Sequence, residues 1–167
     1  LLVHAGLSII GRKGYGFLID MGIEKAKTFA EMVRQHPDFE LTSTPELNIL
    51  TYRYCPVHIQ QALRWATKDQ SQRINQLLDM VNQLLQKDQR EAGKTFVSRT
   101  RLRVRDYTQQ ISVLRVVLAN PLTTEDILDS VLREQCTIVL QQDIQELLEQ
   151  VEGVCAEIDV PPKTACA

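Results

Sequence analysis

The chain has 167 residues, of which 44% are hydrophobic and 24% charged, with 19 Lys and Arg against 21 Asp and Glu. That length accommodates one domain, or a domain with an arm, and excludes a large multidomain enzyme; the composition excludes collagenous, disordered and disulfide-scaffold chains. A formal net charge of -2 offers no surface that gains affinity by neutralising many phosphates, so no nucleic-acid partner is expected.

Leu1-Leu2-Val3-His4 reads as helix interior, with no Ser, Thr, Asp or Asn ahead of it to cap free N–H groups, so the chain is expected to start inside a larger structure. The longest uncharged apolar stretch, Leu1 to Gly11, is too short for a bilayer and lacks the basic leader and cleavage site of a secretory signal; no membrane partner is expected, and the location is expected to be cytoplasmic. Gly11, Gly14 and Gly16 interrupt this first helical stretch, which implies a bend. From Phe17 to His36 the positions Leu18, Met21, Phe29, Met32 and Val33 recur at helical spacing until Pro37 stops the pattern.

The period then changes to two. Phe39 and Leu41 alternate with polar residues, Pro45 makes a turn, and Leu47 to Tyr54 is rich in β-branched and aromatic residues, which predicts a hairpin. After Pro56 a long helix is expected from Ile59 to about Gln89, with Ile74, Leu77, Leu78, Val81, Leu84 and Leu85 on one stripe and Gly93 as its stop. Phe96 to Arg105 alternates again and Ile111 to Ala119 is almost continuously apolar, a second pair of strands. Thr123 or Thr124 caps a helix that begins Glu125-Asp126, and Leu140, Ile144, Leu147, Leu148 and Val151 continue it or start another before a Pro161-Pro162 tail. The order predicts an α+β fold, a small antiparallel sheet with helices on one face and an N-terminal connecting helix. The divisions expected are 1–16 for the connecting helix, 17–139 for the domain, and 140–167 for an extra helix and frayed tail.

Few residues invite chemistry. Gly11-Arg12-Lys13-Gly14-Tyr15-Gly16 follows a helix rather than the strand that a dinucleotide fingerprint needs, and Gly93-Lys94-Thr95 would complete a P-loop only with a glycine where Asp88 stands. Cys55, Cys136, Cys155 and Cys166 have no CxxC spacing and no His nearby at ligand spacing, so no metal site is expected and the thiols read as those of a reducing compartment. His4, His36 and His58 lie on different elements, and no Ser or Cys sits in a nucleophile elbow, so no catalytic residue is assigned. Glu46, Glu125 and Asp126 read as turn and helix-start acids. Arg99, Arg101, Arg103 and Arg105 alternate along one strand, as a solvated face or as an interface with acidic groups does. Arg115 interrupts the most apolar strand, so it needs either an internal acid or a bound carboxylate gripped by its planar guanidinium.

Four strings in this order resemble the C-terminal part of group II pyridoxal-phosphate-dependent amino-acid decarboxylases, nearest the bacterial glutamate- and aspartate-decarboxylase-like enzymes. They are Ile10-Gly11-Arg12-Lys13-Gly14-Tyr15, Pro45-Glu46-Leu47-Asn48, Phe96-Val97-Ser98-Arg99-Thr100-Arg101-Leu102, and Leu114 to Pro121 followed by Thr123-Thr124-Glu125-Asp126-Ile127. The similarity covers about 1–132. The resemblance implies the small domain of a type I fold, joined to a large cofactor-binding domain in a homodimer. It implies pyridoxal phosphate as cofactor, carried by a lysine that follows a His in the large domain; none of Lys13, Lys25, Lys27, Lys68, Lys87, Lys94 and Lys163 has that context, so no cofactor-binding residue is expected here. It implies that Arg115 matches the family's small-domain arginine for the substrate carboxylate, and that the amino-acid substrate is acidic, aspartate or glutamate. Decarboxylation of diaminobutyrate or an aromatic amino acid, or a non-enzymatic interaction domain using its helical arms, are the alternatives. The chain alone is expected to be inactive. The Arg105-Asp106-Tyr107-Thr108 loop and the residues beyond about Val139 depart from the family pattern.

Overall fold

The computed structural model describes residues 2–104, 107 and 109–159. The first helix, α1 (Leu2–Gln35), bends at Gly11, whose φ of 69° and ψ of 173° lie outside the helical region, so the glycine-rich segment is a joint between two helices as its composition suggested. The helix ends just ahead of Pro37. β1 (Phe39–Ser43) and β2 (Ile49–Tyr54) form the first hairpin, with a bulge between Leu41 and Ser43. β3 (Ser98–Arg103) and β4 (Gln110–Val117) form the second, and β2 pairs with β4 to give an antiparallel sheet in the order β1-β2-β4-β3.

The expected long helix from Ile59 is two helices, α2 (Val57–Leu63) and α3 (Lys68–Ala92). The break is chemical: Thr67 accepts from the Gln70 backbone while the Gln70 side chain accepts from the Thr67 N–H, a complete capping box that starts a new helix. Gly93 ends α3 in the left-handed region, as its position predicted. α4 (Glu125–Val139) is capped by Thr124, with Glu125 and Asp126 in its first turn. α5 (Gln142–Ala156) is a separate helix, and its Ile144, Leu147 and Leu148 enter the main core. The boundary expected at residue 139 thus falls between two helices that share one core.

That core lies between one face of the sheet and the helices. Phe29 of α1, Phe39 of β1, and Tyr52 and Tyr54 of β2 pack edge to face with ring centroids 5.6 to 5.7 Å apart, each pair worth about 0.5–1.5 kcal/mol beyond its buried area. Leu114, Val81, Leu85, Leu128 and Leu132 fill the space around them. A smaller cluster of Cys55, Ile59, Ile74, Leu78, Val151 and Val154 joins α2, α3 and α5.

Helix α3 also enters the sheet. β2 and β4 are paired only as far as Tyr52 opposite Leu114, and beyond that point their facing backbone groups are satisfied by side chains of α3. Asn82 accepts from the Tyr54 N–H (2.8 Å) and donates to the Tyr54 carbonyl (3.0 Å), taking the place of a strand neighbour. Asp79 accepts from the Ser112 N–H (2.6 Å) and pairs with Arg101 (3.1 Å).

Candidate active site cleft

The pairing of β3 with β4 begins at Ser98 opposite Arg115, which leaves the last residues of β4 without a neighbour on that side. A cleft of about 320 Å³ opens there, floored by Val116, Val117 and Leu118, walled by Ile127, Leu128 and Val131 of α4, and rimmed by Lys94 to Ser98. Three of the sequence strings meet beside it. The Leu118 N–H donates to the Asn48 carbonyl (2.8 Å), and Gly22 of α1 lies so close that a Cβ there would stand 2.7 Å from the Leu118 carbonyl and 3.1 Å from Asn48. Lys25, one turn further along α1, donates to the carbonyls of Pro121 (2.6 Å) and Asn120 (3.3 Å) and fixes the turn after β4.

The opposite rim is held by a polar chain through the core. The Tyr52 hydroxyl donates to Gln135 (3.1 Å), Gln135 donates to Gln89 (3.0 Å), Gln89 donates to the Thr95 hydroxyl (2.7 Å), and Thr95 donates to Glu134. The buried side chains of Tyr52, Gln135 and Gln89 thereby each have a partner that fixes their position. Gln86 adds a bond to the Val97 carbonyl (3.1 Å), so the segment leading into β3 is anchored from α3.

Arg115 stands at this cleft, and its surroundings correct the expectation from the sequence. Burial along β4 runs from Ile111 to Leu114 and stops, so Arg115 is exposed and carries no desolvation cost that would demand an internal acid. No carboxylate pairs with it among the described residues; its one side-chain partner is Ser98. Arg115 Nε donates to Ser98 Oγ (3.2 Å), while Ser98 Oγ donates to the Arg115 carbonyl (2.9 Å).

The arginine that does need an internal acid is Arg53, which no motif of the sequence singles out. Arg53 is fully buried, on the face of β2 opposite Tyr52 and Tyr54. Its Nε bonds Glu40, its cross-strand neighbour, at 2.5 Å, its Nη1 bonds Asn75 at 2.7 Å, and the Tyr107 ring lies 4.7 Å from its guanidinium carbon. Tyr107 donates to the other Glu40 oxygen (2.7 Å), so one carboxylate holds both groups. Burial opposes the charge on Arg53, but the groups around it, the Glu40 carboxylate bonded to its Nε among them, outweigh burial and hold the guanidinium protonated.

The remaining candidates fall outside the cleft. Arg99, Arg101 and Arg103 alternate as an exposed stripe, as expected, and Arg105 lies outside the described residues. His36 accepts at Nδ1 from the Asp38 N–H (3.2 Å) and points Nε2 at Cys136 Sγ (3.7 Å), so both ring nitrogens of this half-buried group are engaged. His58 lies against Glu152 on the surface, and Cys55, Cys136 and Cys155 are free thiols. Cys166, Lys163 and the Pro161-Pro162 tail lie outside the described residues.

The cleft suits a carboxylate: its lining residues include one arginine, one lysine and the hydroxyl of Thr123, and no acid. The same composition does not make a cradle for pyridoxal phosphate, because no lining carboxylate could face a pyridine nitrogen. Of the lysines, Lys25 is tied to Asn120 and Pro121, Lys27 to Glu24, and Lys94 sits on the rim.

The fold is that of the C-terminal portions of pyridoxal-phosphate-dependent decarboxylases. Over 83% of its length the chain superposes on a quarter of the glutamate decarboxylase domain of diaminobutyrate-pyruvate transaminase and L-2,4-diaminobutyrate decarboxylase from Vibrio parahaemolyticus, with a TM-score of 0.61 and 20% identity. Mouse CSAD gives a TM-score of 0.64 over 79% of this chain and 26% of that one at 20% identity, and Catharanthus roseus tryptophan decarboxylase gives 0.56 over 79% and 24%, also at 20% identity. No protein-family model matches the chain. In sequence it is 47% identical over 155 residues to an aspartate 1-decarboxylase of Aliivibrio fischeri. It spans 92% of its own length but 28% of that relative's. By sequence and fold together, the chain is similar to the C-terminal part of the group II pyridoxal-phosphate-dependent decarboxylases, as its four strings implied.

Proposed function

We propose that this chain is the C-terminal small domain of a pyridoxal-phosphate-dependent carboxy-lyase acting on an acidic amino acid, and that Arg115 holds the substrate carboxylate. The observation that carries the reading is the state of Arg115: an exposed guanidinium at a mostly apolar cleft, oriented by a hydroxyl and free of any acid partner among the described residues. A planar guanidinium gripping a carboxylate with two parallel hydrogen bonds fixes the orientation of the whole amino acid, which is a positioning effect on rate. The aspartate 1-decarboxylase relative supports an acidic amino acid, aspartate or glutamate, as the substrate class.

When bound, pyridoxal phosphate supplies the electron sink for the carbon that loses its carboxylate. It would be held by residues outside this chain, in a large domain that these exposed apolar groups would meet: Phe17 and Ile19 of α1, and Val117 and Leu122 beside the cleft. Homodimer assembly and a cytoplasmic location belong to the same reading. Arg115→Gln in the full-length enzyme is expected to raise KM about tenfold or more, the value of a charged hydrogen bond, while cofactor absorbance persists. Unchanged kinetics would remove Arg115 from the substrate site. A screen of aspartate, glutamate, diaminobutyrate and tryptophan decides the substrate, and turnover of diaminobutyrate or tryptophan alone would overturn the acidic assignment.

A further inference from the structure

The bond between Arg115 and Ser98 restricts more than where the arginine lies. A guanidinium can present a carboxylate with two kinds of paired donors, Nε with one Nη along its side, or the two Nη atoms at its end. In this structure Nε is already spent on Ser98 Oγ at 3.2 Å. The same hydroxyl donates its single proton to the Arg115 carbonyl at 2.9 Å, so Ser98 is saturated in this direction and cannot also donate to a substrate. The two residues face each other in the β3–β4 register, which makes the contact a consequence of strand pairing rather than of a mobile rotamer. The Nη atoms have no partner among the described residues.

We propose that Ser98 is a positioning residue that commits Arg115 to grip the substrate carboxylate end-on, through Nη1 and Nη2. This rests on the reading of Arg115 given above and adds to it which nitrogens act and what aims them. A long side chain on an open sheet face otherwise samples several rotamers, and binding would have to freeze them; the Ser98 bond removes part of that cost before the substrate arrives. Ser98 does not touch the substrate, so its effect should appear in binding and vanish when Arg115 is gone.

The test is steady-state kinetics of the full-length holoenzyme with aspartate, with cofactor absorbance read in parallel. Ser98→Ala is expected to raise KM about three- to tenfold, the worth of an ordinary hydrogen bond because Ser98 acts only through the aim of Arg115, with kcat within about twofold of the parent. Ser98→Thr keeps the hydroxyl and should restore KM. In the Arg115→Gln background Ser98→Ala should add nothing, since an effect exerted through Arg115 cannot be lost twice. Should the alanine variant fold poorly, Ser98→Val against Ser98→Thr compares two side chains of one shape that differ in the hydroxyl. If Arg115→Gln raises KM while the Ser98 variants do not, the positioning role is overturned and the Arg115 reading stands. If Ser98→Ala adds its full effect in the Arg115→Gln background, Ser98 acts independently of Arg115 and the proposal fails. If Arg115→Gln leaves KM unchanged, both fall together.

Discussion

Two arginines on neighbouring strands show how burial decides what a charge is for. Arg53 has no access to solvent, and Glu40 at Nε, Asn75 at Nη1 and the Tyr107 ring replace part of the water it gave up, while Nη2 has no hydrogen-bond partner among the described residues. Removing one partner of such a pair leaves an uncompensated buried charge, so Glu40→Ala should destabilise the domain by about 3–5 kcal/mol, measured by denaturant unfolding; a loss below 1 kcal/mol would mean that Arg53 finds another partner. Arg115 is solvated, and its replacement should cost little stability, which is what a residue kept for binding shows. The sequence pointed to the wrong one of the two as buried, because the apolar run around Arg115 describes the strand and not what covers it. Arg53, in Tyr52-Arg53-Tyr54, was marked only by its alternation with two core tyrosines. Beside it, burial pushes the Cys55 thiol up to about 12 from an ordinary 9. The folded state thus favours the protonated thiol, so its contribution is intact below pH 9 and is lost as pH rises from 9 towards 12. Cys55 should resist iodoacetamide at pH 8 in the native protein and react once the chain is unfolded; rapid native labelling would contradict its burial.

At the scale of elements, the sheet depends on a helix for its continuity. Where β2 and β4 part, Asn82 supplies both the acceptor and the donor that Tyr54 would find in a strand. Asn82→Leu removes both and leaves two buried backbone groups unpaired, with an expected loss of about 2–4 kcal/mol in thermal or denaturant unfolding; a neutral result would show that water reaches Tyr54. Gly22 sets how closely α1 approaches the cleft, so Gly22→Ala should force the helix away from Leu118 and cost about 1–3 kcal/mol by the same measurement. The sequence made the strands and helices legible because hydrophobic period separates them: Phe39 to Tyr54 alternates, and Ile74 to Leu85 repeats at helical spacing. The break between α2 and α3 lies in the polar stretch Thr67 to Arg73, where the Thr67 and Gln70 capping box was there to be read. The place of Asn82, and the need for glycine at position 22, depend on contacts between distant segments and leave no local signal.

For the whole molecule, the division of labour is between a rigid cleft and surfaces that have no cover in this chain. The first half of α1 carries Leu7, Ile9 and Ile10 exposed beyond the bend at Gly11, with Ile9 at 84% of its full accessibility. Such side chains on an arm favour association, so the 167-residue chain alone should run above its monomer mass in light scattering at micromolar concentration, and charged replacements at Leu7 and Ile9 should reduce that mass. The chain alone should show no absorbance band that borohydride removes in the presence of pyridoxal phosphate, since its cleft lacks the acid and the lysine setting that the cofactor requires. Competitive inhibition separates binding from chemistry at Arg115. In the full-length enzyme, succinate, a dicarboxylate without the amino group, competes with the substrate only through its carboxylates. Arg115→Gln should weaken succinate inhibition by about tenfold or more, the value of a charged hydrogen bond, whereas an equal inhibition constant in the two enzymes would show that Arg115 does not hold the carboxylate.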